Sequence, residues 1–324
     1  MTERYRIETM IPKGIRTAVI LGHIRPDGDC VGSCLGLYHY LKDNMPWLEV
    51  EICLQKFSEA FYCLPGAERI QFMEQMDMNR SFDLCITCDA SEKSRLGDAA
   101  VLLERAEHTI CIDHHITNQG FAQENYIRGG LSSCAEALGE LMDMEKISEE
   151  CAECLYLAVI HDTGVFKFSS TTLKTMCFAG SLMEKGVDFT SVIDRTYFGR
   201  TKAQTLVCGR AMSSMKTADH DRIAYTLVTL KDMEECGADV RDMNGIVDQL
   251  RIVDGVQVAV FIYEMSQDCY KVSLRSNNQV DVSLIAAAHG GGGHVPAAGF
   301  ECAMNYDSLM ELLLKEIGEQ LAVL

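Results

Sequence analysis

The sequence predicts an α/β protein in two parts, a parallel-sheet domain followed by a smaller α/β domain, and three observations carry this. Four short apolar runs rich in branched residues, at 16–23, 48–55, 82–89 and 108–115, are separated by helical-looking segments, the pattern of buried parallel strands. A second series of strand-like runs, at 222–230, 256–265 and 269–276, follows a stretch at 188–215 that has helical periodicity but no strong apolar stripe. Finally, 324 residues suit two cores of ordinary domain size better than one.

Taken in order, 16–23 is the first strand, and CVGSCLGLYHYLKDN (30–44) is a helix with apolar residues at helical spacing and Asn44 at its end. With 48–55 they make a βαβ unit. Strands at 82–89 and 108–115 extend the sheet. ISEECAECLYLAVIHDTG (147–164) reads as a helix capped by Ser148 that delivers Asp162 at its far end. The second part adds helices at 238–253, 282–289 and 306–321. The expected division is 1–190, a helical linker over 191–215, and 216–324. No internal repeat or low-complexity segment occurs.

Composition narrows the function classes. Hydrophobic residues make up 48% and charged residues 23%, as in an ordinary globular enzyme and unlike a disordered chain. No apolar run approaches a membrane span, and the first residues lack the apolar core of a secretory signal, so a cytoplasmic location is expected. A formal net charge of −18 argues against a protein that tracks long nucleic acid, which needs a basic stripe. A small anionic substrate stays compatible where bound cations make a cleft locally positive.

The 15 cysteines are scattered among apolar neighbours and read as reduced, buried thiols. Cys85-x-x-Cys88 and Cys151-x-x-Cys154 resemble halves of a zinc knuckle. The first pair, however, lies on a strand where odd spacing sends the thiols to opposite faces, and the second lies on an apolar helix.

Acidic residues and histidines instead gather where strands or helices end: His23-x-x-Pro26-Asp27-x-Asp29, Asp89, Asp113-His114-His115 and Asp162. In open α/β sheets ligands bind beyond the carboxyl ends of the strands. Carboxylate and imidazole donors suit Mn²⁺, Mg²⁺ or Fe²⁺, and the absence of thiolate argues against a closed zinc site. Such a set is the raw material of a two-metal hydrolase, and phosphoester cleavage is the chemistry it fits. Blander roles exist for each residue: Asp29 as a helix cap, Asp27 in an Asx-turn, Asp89 in a turn, Asp162 at a helix end. Of the adjacent histidines, one can bind metal while the other approaches a phosphate or leaving group as a general acid.

The second part contains HGGGGHVPAAGF (289–300), which is either a flexible turn or a cradle whose backbone amides approach an anion beside Arg275 and His294. Neither a dinucleotide fingerprint nor a P-loop is present. His39, His108 and His220 are read as structural or surface residues, and His161 as pointing away from Asp162.

Together, GHIRPDGDCVGS (22–33), CDAS (88–91), IDHH (112–115), HDTGVF (161–166), LRS (274–276) and GGGGHVPAAG (290–299) resemble the motifs of the DHH/DHHA1 phosphoesterase superfamily, over almost the whole chain. The resemblance implies a parallel-sheet DHH domain, a helical linker, a smaller α/β DHHA1 domain and an active site in the cleft between them. It implies two divalent metal ions, Mn²⁺ by preference. His23, Asp27 and Asp89 would bind one, and Asp29, Asp89, His114 and Asp162 the other, with Asp89 bridging. His115 would contact the scissile phosphate, and Asp113 would orient a histidine. Arg275, Ser276, Gly291, Gly292, Gly293 and His294 would hold the substrate nucleotide.

Within the superfamily the chain resembles the nanoRNase group. That implies cleavage of short RNA and linear dinucleotides such as pApA to 5′-mononucleotides, with dephosphorylation of 3′-phosphoadenosine 5′-phosphate as a second activity. A homodimer is compatible with this, and no membrane partner is implied. The alternatives are a stand-alone cyclic di-AMP phosphodiesterase and, outside enzymes, a nucleotide-sensing module. Degenerate ligands would mark the last, and none is found.

Overall fold

The computed structural model describes residues 5–277 and 280–322. The first four and last two residues, which the expected domain limits include, lie outside the described residues. The chain divides into two compact units, Met1–Gly199 and Arg200–Leu324.

The first unit comprises α1 (Ile7–Met10), β1 (Thr17–Leu21), α2 (Gly28–Asn44), β2 (Glu49–Leu54), β3 (Ile70–Phe72), β4 (Leu84–Cys88), α3 (Ala100–Arg105), β5 (His108–Asp113), β6 (Glu124–Ile127), α4 (Cys134–Leu141), α5 (Glu149–Asp162), α6 (Leu173–Met183) and α7 (Phe189–Ile193). Its sheet is parallel throughout, in the order β3-β2-β1-β4-β5-β6. The chain therefore winds outward from β1 and returns to its other side at β4. That reversal opens a crevice between the carboxyl ends of β1 and β4, the place where such sheets bind ligands.

Strand residues alternate between two cores. Ile20, Ile52, Ile86 and Ile112 pack under α2, α4 and α5, while Val19, Leu21 and Cys85 face the α3 side. Each such buried aliphatic side chain contributes about 1.5–3 kcal/mol relative to exposure. Cys85 and Cys88 fall in opposite cores, so their CxxC spacing makes no shared site. Helices α2 and α5 approach closely at glycine: a Cβ on Gly32 would lie 2.4 Å from the Cys154 carbonyl oxygen. Ser148 caps α5 by accepting from the Cys151 amide, as its position predicts.

The second unit comprises α8 (Lys202–Ser213), β7 (Lys216–Ala218), β8 (Ile223–Val228), α9 (Leu230–Cys236), α10 (Ile246–Arg251), β9 (Val258–Ser266), β10 (Cys269–Ser276), α11 (Val282–Ala288), β11 (Gly292–His294), β12 (Ala297–Ala303) and α12 (Tyr306–Leu321). Its sheet runs β11-β12-β10-β9-β8-β7, parallel only between β8 and β9. Val260, Val272 and Phe300 pack with α11 and α12 on one face, and Ala259 and Phe261 with α8 and α10 on the other.

Two expected helices are broken. The 238–253 segment splits into a 3₁₀ turn (Val240–Met243) and α10 because Gly245 adopts a left-handed φ of 79°. The 188–215 segment holds α7, a π-helical turn at Asp194–Phe198 and α8, whose start is sealed by a capping box between Thr201 and Gln204. Among the described residues no helix is long and apolar enough to cross a membrane.

Candidate metal centre

The site is built from the ends of β1, β4 and β5 and the termini of three helices. His23 lies two residues past β1, and Asp27 is the N-cap of α2, its carboxylate accepting from the Cys30 amide at 3.1 Å. The capping role that the sequence offered for Asp29 falls to Asp27 instead, because the helix begins two residues earlier, at Gly28. Asp29, inside the first turn, is fully buried. Its Oδ1 accepts from Ser33 Oγ at 2.9 Å, and its Oδ2 accepts from the Cys134 amide at the start of α4 at 2.6 Å. Asp89 follows β4 with a left-handed φ of 57°, a conformation that aspartate tolerates better than most residues and that turns the carboxylate out of the strand line.

Asp162 is the last residue of α5. After it Gly164, Val165 and Phe166 all take positive φ, held by a bond from the Phe166 amide to Thr163 Oγ1. A left-handed valine costs backbone energy, which the packing around the helix end must offset.

These residues converge. His23 Nε2 lies 3.6 Å from Asp27 Oδ1 and 3.4 Å from Asp89 Oδ2. His114 Nε2 lies 3.1 Å from Asp162 Oδ2, 3.5 Å from Asp89 Oδ1 and 3.7 Å from Asp29 Oδ2. Two sets, His23–Asp27–Asp89 and Asp29–His114–Asp162, each offer ligand atoms within 4.8 Å of one another, and a third joins Asp89, His114 and His115. All but Asp29 line one polar pocket of about 90 Å³, with Ser91 and Arg95.

The donors fit divalent metal ions. Asp89 Oδ1 is buried with no hydrogen-bond partner among the described residues, a costly state that a cation would relieve. Burial, with the Asp89 and Asp162 carboxylates nearby, pushes the Asp29 carboxyl well above its ordinary range. Burial alone would lower the His23 imidazole, yet Asp27 and Asp89 outweigh it and raise it to about 11. Asp162 and Asp89 likewise overcome burial and raise His114 to about 12. Without metal the cluster thus gathers protons where positive charge is missing. His114 Nδ1 lies 3.2 Å from the Leu131 carbonyl, a contact that fixes the ring with Nε2 toward the carboxylates.

His115 differs. Its Nδ1 donates to Asp113 Oδ1 at 2.8 Å, while Asp113 Oδ2 accepts from Asn118 Nδ2 at 2.7 Å. The Asp113 hydrogen bond is the main reason that the His115 imidazole is raised above its ordinary value. Its ring is 42% exposed, which leaves Nε2 available to a ligand.

In the second unit, Arg275 and Ser276 end β10. Arg275 Nε lies 3.6 Å from Asp248 Oδ1, and the Ser276 amide donates to the Pro296 carbonyl. Gly292, Gly293 and His294 form β11, paired with Ala297–Gly299. A Cβ on Gly291 would meet the Gly299 carbonyl oxygen at 2.3 Å, so this glycine permits close backbone approach, whereas Gly292 has open space. His294 is exposed. His289 instead stacks on Phe300 and bonds Glu316 at 2.9 Å.

Sequence reading missed Ser33, Ser91, Arg95 and Asn118. Ser33 shares the GDCVGS segment and Ser91 the CDAS segment with ligands, a usable signal. Arg95 and Asn118 lie in ordinary-looking loops. Of the histidines set aside, His39 Nε2 bonds the Pro65 carbonyl, and His161 packs against Gly28 and bonds Thr196 Oγ1, near enough to Asp27 to interact with its charge.

Comparison with known proteins agrees with this architecture. Residues 17–159 match the DHH family, N-terminal domain, and residues 220–322 match the DHHA1 domain. A Thermus thermophilus protein named bifunctional oligoribonuclease and PAP phosphatase NrnA is 30% identical, covering 98% of this chain and 95% of that protein. A Streptococcus mutans protein, named probable bifunctional oligoribonuclease and PAP phosphatase NrnA, is 27% identical over 93% of this chain and 95% of its own length. The crystal structure of an exopolyphosphatase-related protein from Bacteroides fragilis shares the fold, with a TM-score of 0.83, 24% identity, and coverage of 95% of this chain and 93% of that one. A 30% identical relative matched almost end to end, together with the DHH and DHHA1 domain matches, makes this chain a member of the DHH family of phosphoesterases, with a DHHA1 second domain.

Proposed function

We propose that this chain is a Mn²⁺-dependent phosphodiesterase that releases 5′-mononucleotides from short RNA and linear dinucleotides of the pApA type, and that it also dephosphorylates 3′-phosphoadenosine 5′-phosphate. The observation that carries the reading is the two ligand sets linked through Asp89, which belongs to the first and whose buried Oδ1, without a hydrogen-bond partner among the described residues, lies 3.5 Å from His114 Nε2 of the second. The names of the relatives supply the substrate class.

His23, Asp27 and Asp89 would hold one ion, and Asp29, Asp89, His114 and Asp162 the other. Two such ions supply an activated water and charge stabilisation at phosphorus. The chain's own residues do the rest. Ser33 and the Cys134 amide hold the Asp29 carboxylate, and the Leu131 carbonyl holds His114, so the donors are preorganised. Asp113 keeps His115 with Nε2 outward and protonated, positioned to bond the scissile phosphate and to protonate the leaving oxygen. Arg275, Ser276, Gly291, Gly292, Gly293 and His294 would hold the substrate nucleotide, with Arg275 supplying charge-assisted hydrogen bonds.

The test is product analysis after incubation with Mn²⁺ and pApA, a five-nucleotide RNA, cyclic di-AMP or 3′-phosphoadenosine 5′-phosphate, with a chelator control. Metal-dependent release of AMP from pApA is expected. Faster cleavage of cyclic di-AMP would replace this reading with the cyclic dinucleotide one, and binding without turnover of any substrate would favour a sensor.

A further inference from the structure

We propose that Arg95 is a phosphate-binding residue of this site, its guanidinium donating to a non-bridging oxygen of the substrate phosphate. The proposal rests on the phosphoesterase reading and adds a residue to it. Arg95 lines the same pocket as His23, Asp27, Asp89, His114, His115 and Asp162.

Its backbone is held in place from two sides. The Arg95 carbonyl accepts from the Ile24 amide at 2.7 Å, clamping the loop after β4 to the loop after β1. Gly97, at a left-handed φ of 57°, passes so close to Ile24 that a Cβ would lie 2.5 Å from Ile24 Cγ2. The side chain, by contrast, lacks a suitable acceptor. Its polar contact is Nη2 to His23 Nδ1 at 3.1 Å, and it has no carboxylate partner among the described residues, in a chain with 47 acidic and 29 basic side chains.

That contact sets two donors against each other. His23 Nδ1 lies 2.8 Å from the Ile24 carbonyl, which can only accept, so Nδ1 carries a hydrogen in that bond. A metal on Nε2 keeps the hydrogen on Nδ1. The guanidinium then has nothing to donate to on the imidazole, and it sits half-buried at the pocket wall, with no protein acceptor for its other nitrogens among the described residues. A phosphate oxygen is the acceptor that satisfies it, and guanidinium geometry suits phosphate.

Charge balance points the same way. The carboxylates of Asp27, Asp29, Asp89 and Asp162 together carry four negative charges, as many as two divalent ions neutralise. A phosphodiester entering such a site needs further positive charge, and Arg95 and His115 are the pocket residues able to provide it.

The test compares wild type, Arg95→Ala and Arg95→Lys, each loaded with Mn²⁺. Calorimetry measures binding of AMP and of inorganic phosphate, mass spectrometry measures bound metal, and steady-state kinetics with pApA separates KM from kcat. For Arg95→Ala the expected result is a 10- to 100-fold loss of affinity for both anions at unchanged metal content, with Arg95→Lys intermediate. Binding within twofold of wild type in Arg95→Ala would overturn the proposal. So would loss of metal in both variants, because Arg95 would then act by positioning His23. If wild type binds inorganic phosphate but does not cleave pApA, the substrate reading fails while the phosphate arm still decides the role of Arg95.

Discussion

Asp113 Oδ1 stands 2.8 Å from His115 Nδ1, so a fully buried carboxylate at the end of β5 orients an imidazole whose other nitrogen is open to ligand. The pair divides labour between neighbours in sequence: His114 turns its Nε2 inward to Asp162, Asp89 and Asp29, and His115 turns outward.

This geometry predicts that His115→Ala lowers kcat by about 10²–10⁴-fold while bound metal stays at the wild-type level. Asp113→Asn should cost about 10–100-fold through loss of orientation. In the proposed role the protonated imidazole is the active form, so activity should fall as pH rises through its pKa. Since Asp113 raises that pKa, the asparagine variant should move the alkaline limb of the kcat/KM profile to lower pH. An unmoved limb would mean that another group titrates there.

Metal removal has a stability consequence. Asp29 and His114 both have raised folded values, so their stabilising contribution to the metal-free protein is present below the unfolded values, about 3.9 and 6.5, and is lost as pH rises. In the proposed two-metal site, bound metal would take the place of those protons. At saturating Mn²⁺, about 100 times the dissociation constant, the gain is about 2.7 kcal/mol, or roughly 5–10 °C in the melting temperature of the first unit. The Mn²⁺-induced rise should grow between pH 6 and pH 8. Asp89→Asn should fold, lose most of this rise and abolish turnover, as scanning calorimetry and an activity assay would reveal.

Gly32→Ala tests the packing that carries Asp29. The new methyl would sit 2.4 Å from the Cys154 carbonyl oxygen, forcing α2 away from α5. A loss of about 1–3 kcal/mol in urea unfolding is expected, with weaker metal binding because the start of α2 carries the proposed ligands Asp27 and Asp29. Unchanged stability would show that the helices separate freely.

Arg275→Ala should raise KM for pApA roughly 10–100-fold, the value of one charge-assisted hydrogen bond of about 1.5–3 kcal/mol, and leave metal content untouched. A fall in kcat alone would place Arg275 outside substrate binding.

Much of the first unit was legible in the sequence because parallel strands buried on both faces read as unbroken apolar runs, and three of the four first runs ended at a polar residue of the candidate site, His23, Asp89 or Asp113. Short edge elements were not legible. β3 spans three residues, β6 is half exposed, and β11 consists of Gly292, Gly293 and His294, so none carries a periodic apolar signal. The glycine run could be read as a turn or an anion cradle. Pairing with β12 shows that Gly291 and Gly293 are there in part for backbone approach, information held by the partner strand.

The sequence by itself determined the family, the α/β class and the chemistry of the donor set, because residue types and their places at strand ends are local properties. Tertiary structure alone decided which donors meet. The sheet order puts β4 beside β1 across 60-odd residues of chain, bringing Asp89 to His23, and the start of α4 supplies the amide that holds Asp29. It also decided that Asp27 caps α2 while Asp29 stays buried, and that Arg95 reaches the pocket. Such juxtapositions follow from long-range packing and backbone hydrogen bonds, which leave no periodic trace in the segments they join.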